Sequence, residues 1–207
     1  MKREIDITNW NRKEHFEFFS SMDDPFFGVT VQVDCKRTYE EAKEKGISFF
    51  ILSLHKILQA VNSVENFHYR LEEGKVFCYD TIHGSCTIGR ADETFGFSFF
   101  EYIEEEELFV ESCIREIEHV KSASGLCFSD RKAKNDMIYM TTTPWFSFTE
   151  LKHAGSFKTG DSIPRISTGR FEKVNDRLLM PINILAHHGM MDGIHVAKFV
   201  EKLQELL

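Results

Sequence analysis

His187-His188-Gly189-Met190-Met191-Asp192-Gly193 places two adjacent imidazoles and, four residues after the second, a carboxylate where the residue pattern changes from strand to helix. Upstream, Leu178-Leu179-Met180-Pro181-Ile182-Asn183-Ile184-Leu185 is an almost unbroken apolar run with strand character. Downstream, Val196, Phe199, Val200, Leu203, Leu206 and Leu207 recur at helical spacing. A histidine at that junction projects from the end of a rigid element. Imidazole has the side-chain pKa nearest neutrality, so it can take a proton from a hydroxyl and return it elsewhere without a metal. A lone buried histidine is usually a satisfied core residue, but a tandem pair followed by Asp192-Gly193 suits proton transfer better. No metal site is expected: adjacent histidines rarely converge on one ion, and no cysteine or carboxylate cluster completes a ligand set.

The chain that must position these groups has 207 residues, enough for a single domain over 1–207 that buries its own core. With 42% hydrophobic and 28% charged residues it reads as a soluble globular protein, and no run approaches the roughly 18 apolar residues of a membrane span. Met1-Lys2-Arg3-Glu4-Ile5-Asp6 lacks the apolar core of a secretory signal, so a cytoplasmic location is expected. Five cysteines form neither a C-x-x-C pair nor a regular framework, which argues for reduced thiols. A net charge of −8 disfavours nucleic-acid binding. Twenty phenylalanines, many in pairs, exceed what a two-faced strand pattern requires; most suit a core, and some suit an aromatic pocket or a subunit interface.

Along the chain, helices and strands mix without the regular alternation of a doubly wound fold, and neither G-x-G-x-x-G nor G-x-x-x-x-G-K occurs. Residues 4–7 alternate like a short strand, and Asn9 or Asn11 caps a helix through Phe19. Strand 28–34 precedes a polar helix ended by Gly46 and a core-packed helix over 49–64. A hairpin follows across Glu72-Glu73-Gly74, then strand candidates at 85–88 and 94–100, an amphipathic helix over 104–121 and a polar loop over 122–136. Strand 137–143 stops at Pro144-Trp145.

Several separated motifs give the chain a resemblance to trimeric chloramphenicol acetyltransferases over nearly its whole length. They are Asn9-Trp10-x-Arg12-x-Glu14-His15-Phe16, Asp92-Glu93-Thr94-Phe95, Thr143-Pro144-Trp145 with Phe148, Asp176-Arg177-Leu178-Leu179-Met180-Pro181, and His187-His188-x-x-x-Asp192-Gly193-x-His195-Val196-x-x-Phe199. The resemblance implies an α/β two-layer sandwich, a mixed β-sheet covered by helices, assembled as a homotrimer with active sites at subunit interfaces. It implies acetyl-CoA as co-substrate, no bound cofactor, and O-acetylation of chloramphenicol, an antibiotic-resistance activity. His188 would be the general base, and Thr141 would stand where the family has a serine that donates to the oxyanion; the alternative for Thr141 is an ordinary strand threonine. Asp192 would support the site through Arg12, whose alternative is an exposed helix charge. Phe19, Phe27 and Phe95 would line the acceptor pocket, and Trp145, Arg170, Phe171 and Ser167 would lie near the CoA co-substrate.

The departures from the family pattern gather around the acceptor. Leu185 replaces a glutamine, Gly189 an alanine or serine, Ile194 an aromatic residue and Phe19 a tyrosine; Asp23 falls where an apolar residue is usual. Pro164-Arg165-Ile166-Ser167-Thr168-Gly169 is less apolar than the family's strand. Two further readings therefore stand beside chloramphenicol acetylation: a related CoA-dependent acyltransferase with another acceptor, and a non-catalytic trimeric binding protein.

Overall fold

The long apolar run becomes the central strand of the molecule. In the computed structural model, which describes residues 1–128, 135–155 and 160–207, it is strand β10 (Arg177–His187). Its antiparallel neighbours are β2 (Phe26–Asp34) along one side and, in succession along the other, β9 (Glu172–Val174) and β8 (Arg165–Gly169). Pro181 sits where β9 has ended and β8 has not begun, so its missing N–H falls at a break in the ladder on that side. Gly169 makes room for it: a Cβ there would meet Pro181 Cγ at 2.7 Å. Beyond β8, strands β7 (Met137–Thr143) and β5 (His83–Gly89) join in parallel, and β6 (Phe95–Phe97) closes the edge antiparallel to β5. The sheet is therefore mixed, in the order β2-β10-β8-β7-β5-β6.

Side chains alternate across such a sheet, and one face is apolar. Met180, Ile182, Ile184 and Ala186 of β10 join Ile166, Ile138, Met140 and Cys86 of the other strands in one core. Helices α3 (Phe49–Asn62), α4 (Glu106–Ser122) and α5 (Gly193–Leu206) complete that core, and α2 (Lys36–Lys45) packs beside α3. The opposite face is mixed in character: among its positions Asn183 donates to Thr30 Oγ1 at 3.0 Å across β10 and β2. The result is the two-layer α/β sandwich with a mixed sheet that the resemblance implied.

A separate three-stranded sheet combines β1 (Lys2–Glu4) with the hairpin β3 (Tyr69–Glu72) and β4 (Lys75–Tyr79). Glu73 and Gly74 turn that hairpin with φ of 50° and 79°, the left-handed pair that matches strand twist. Two sequence expectations shift. Residues 4–7 do not continue as strand, because Asp6 accepts the Thr8 N–H at 3.0 Å and starts a 3-10 turn. Neither Asn9 nor Asn11 caps the first helix, α1 (Lys13–Ser20), which begins after Arg12 without a side-chain cap. Of the polar loop over 122–136, positions 129–134 lie outside the described residues. Among the described residues no helix is long and apolar enough to cross a membrane.

Arg70 joins the small sheet to the large one. It is fully buried and donates to the carbonyls of Phe67, Tyr69, Asn135 and Met137 at 2.6–2.8 Å. Burial pulls its pKa down to about 10, still charged at neutral pH. Replacing Arg70 with Met strands those carbonyls, so unfolding in urea should show a loss of roughly 3–5 kcal/mol with an unchanged m-value. A loss under about 1 kcal/mol would mean that other donors serve them.

Candidate active site

The histidine pair divides at the end of β10 into two different residues. His187 is 2% exposed and packs against the rings of Phe16 and Phe26. Its Nδ1 accepts the Gly189 N–H at 3.1 Å, which leaves the ring proton on Nε2. Burial pushes its pKa down to about 4, so it is neutral under ordinary conditions. It is the satisfied core histidine.

His188 is half-buried. Its backbone N–H donates to Pro25 at 2.8 Å and carries the pairing with the β2 side one residue past the strand end. The imidazole lies parallel to Phe19, centroids 4.0 Å apart at 10°, with Phe27 on it at 4.5 Å and 38°. Of its two ring nitrogens, Nδ1 is buried and takes no hydrogen-bond partner among the described residues.

The turn after His188 is fixed from inside the protein. Arg12 is 8% exposed, which rules out an exposed helix charge. Its Nη2 donates to the His188 carbonyl at 3.0 Å, its Nε to the Gly189 carbonyl at 3.3 Å and its Nη1 to Asp192 Oδ2 at 2.9 Å. Asp192 also caps α5, accepting the Ile194 N–H at 3.3 Å while its own N–H donates to His195 Nδ1 at 3.1 Å. Gly189 bears on one departure from the family pattern: a Cβ would meet Phe16 Cα and His187 Cε1, each at 3.0 Å, so a larger residue after this pair would need those neighbours to give by a few tenths of an ångström.

The other candidates lie elsewhere on the sheet. Phe95, Thr141 and Trp145 line one long cleft of about 1030 Å³. Arg170 joins them through Trp145, donating to its carbonyl at 3.1 Å, and with Phe171 lines an adjoining hollow of about 160 Å³ that shares Phe50, Thr142 and Pro144 with the cleft. Ser167 does not join this group. It is wholly buried, and its hydroxyl is bonded to His153 Nε2.

One chain does not bring His188 to Thr141. Thr141 pairs with Ser167 and Ser167 with Asn183, two strands from β10's line and five residues before His188. Strand rise and spacing make that separation roughly 15–20 Å. The structure thus holds two groups: His188 with Phe19, Phe27, Arg12 and Asp192, and Thr141 with Phe95, Trp145, Arg170 and Phe171. Sequence reasoning missed His153, a lone histidine in the stretch between β7 and β8 with no periodicity around it; the only signal was the unusually polar Pro164-Arg165-Ile166-Ser167 run nearby.

The chain as a whole is similar to known proteins. The sequence model of the chloramphenicol acetyltransferase family matches residues 2–204, and the chain belongs to that family. A chloramphenicol acetyltransferase of Klebsiella sp is 26% identical, over 97% of this chain and 91% of its own length. Chloramphenicol acetyltransferase 3 of Escherichia coli is likewise 26% identical, over 98% and 95%. A solved structure of a chloramphenicol acetyltransferase superposes with a TM-score of 0.94 at 30% identity, covering 100% of both chains.

The Arg12–Asp192 pair makes the turn sensitive to acid. Burial works against ionisation of Asp192, but the Arg12 hydrogen bond, the charges of His195 and Arg12 and the Ile194 N–H together outweigh it and hold the carboxyl below its ordinary value of 3.8. A group depressed in the folded state stabilises above its unfolded pKa and loses that contribution as pH falls through the folded value. The stability difference between wild type and Asp192→Asn should therefore be constant above about pH 4 and narrow below it, followed by denaturant unfolding from pH 7 to pH 2. A difference that widens on acidification contradicts the pairing.

Proposed function

We propose that this protein is an acetyl-CoA-dependent O-acetyltransferase with chloramphenicol as acceptor and His188 as general base. The observation that carries the proposal is the imidazole of His188, clasped between Phe19 and Phe27 at the end of a strand whose following turn is clamped by Arg12 and Asp192. A base so held can meet a reactant only with its remaining nitrogen, Nε2. It takes the proton of the acceptor hydroxyl, the oxygen attacks the thioester carbonyl of acetyl-CoA, and the same proton passes to the departing CoA thiolate. Phe19, Phe27 and Phe95 supply aromatic surface for the acceptor ring. Thr141 donates its hydroxyl to the tetrahedral oxyanion, and Trp145, Arg170 and Phe171 border the CoA. Ser167 acts behind this surface, since its hydroxyl is taken by His153.

Because the two groups lie far apart in one chain, the working site is assembled from two copies, and a closed ring of three places each His188 against the next subunit's Thr141. In this reading residues 1–207 work as one domain, no metal or resident cofactor takes part, and neither nucleic acid nor membrane is a partner. Free cysteines, four of them buried, suit the reducing cytoplasm.

Purified protein given acetyl-CoA and chloramphenicol should release CoA thiol, and His188→Ala should lower kcat by about 10²–10⁴. No thiol release by wild type sinks the proposal. Co-refolding His188→Ala with Thr141→Val should restore part of the activity that each variant lacks alone, because some interfaces then combine an intact His188 with an intact Thr141. Mixtures as inactive as their components would place the site within one chain.

A further inference from the structure

Beside Thr141 a second cavity of about 380 Å³ opens, and two kinds of chemistry meet in its lining. Phe95, Phe97 and Phe128 form an edge-to-face series, with centroids 5.6 Å and 6.1 Å apart. Tyr139, His153 and Arg165, each with a polar side-chain group, line the same space. His153 is anchored: its Nε2 is bonded to the hydroxyl of Ser167, wholly buried on β8 and paired in register with Thr141. The ring is thereby fixed before any ligand arrives, so little conformational freedom is lost when its other edge meets one. According to tautomer, Nδ1 offers a donor or an acceptor there.

The polar lining carries no spare charge. Arg165 is 4% exposed, its guanidinium is ion-paired with Asp161 and it lies over the Phe26 ring at 4.9 Å. Burial, then the Arg165 charge, holds His153 below its ordinary pKa, and burial, then the Asp161 charge, holds the Tyr139 phenol above its own, so both are neutral at pH 7. An anionic or cationic ligand would therefore find no uncompensated partner. A purely apolar one would leave the imidazole and the phenol without water or a hydrogen bond, which costs affinity.

We infer that His153 and Tyr139 determine acceptor specificity, selecting an aryl compound whose ring lies against Phe95, Phe97 and Phe128 and which carries a neutral hydrogen-bonding substituent. This rests on the proposed acetyltransferase site for the placement of the acceptor, and it makes chloramphenicol, whose nitro group accepts hydrogen bonds weakly, the poorer of two ligands.

Equilibrium titration of the purified protein with chloramphenicol and with its analogue bearing a para-carboxamide in place of the nitro group tests this without turnover. Wild type should bind the carboxamide about tenfold or more tightly than chloramphenicol. His153→Leu should abolish that preference, His153→Gln should keep most of it and Tyr139→Phe should lose part of it. The inference is overturned if wild type prefers chloramphenicol, if neither compound binds, or if His153→Leu folds with the ratio unchanged. Should His153→Leu fail to melt cooperatively, Tyr139→Phe, which removes a single oxygen, decides by the same ratio. Thiol-release assays with both compounds separate the two claims: no turnover of either, alongside the expected binding ratio, would sink acetyl transfer and leave the specificity standing.

Discussion

The guanidinium of Arg12 reaches across 180 residues of sequence to the carboxylate of Asp192. Removing either partner would leave a charge partly withdrawn from water, a change that commonly costs several kcal/mol for buried pairs, whereas the intact pair adds less than its Coulomb energy suggests. Its value here is geometric. The same planar group binds the carbonyls of His188 and Gly189, so three acceptors on one turn are held by three N–H groups of one rigid fork that lysine lacks. Asp192 in turn caps α5, which ties the direction of that helix to the direction of the turn. The start of α1, the end of β10 and the start of α5 are thus specified together.

Around this joint the mixed sheet decides what one chain can do. β10 runs opposite to β8 and β7, so its C-terminal end and the C-terminal end of β7 lie at opposite ends of the sheet. Groups placed at the two ends cannot meet within a subunit, however well each is made. The separation of His188 from Thr141 follows from strand direction, and the proposed use of a second copy follows from that separation.

The β10–α5 junction was legible because its signals were local: an apolar run, an Asp-Gly pair where the pattern changes and an apolar face at helical spacing. The Arg12 contact was legible only through the family resemblance, since nothing in the residues around position 12 distinguishes a buried arginine from an exposed one. Capping by Asn9 or Asn11 failed because Arg12, the residue at the helix start, has its side chain committed elsewhere, and a tertiary contact overrode local preference. His153 was illegible for a similar reason. Its partner Ser167 and its neighbours Tyr139 and Arg165 come from strands brought together by parallel pairing, which leaves no pattern in the sequence.

The neutral state of His187 has a consequence for its neighbour. Two imidazoles joined by one peptide bond would ordinarily compete for protons, since a charge on one raises the energy of a charge on the other. Here the first ring spends its Nδ1 lone pair on the Gly189 N–H and stays uncharged down to about pH 4. Throughout the neutral range the first ring adds no charge beside the second. The first ring of the tandem pair therefore stands beside the second as an electrically silent wall, built from the same kind of residue.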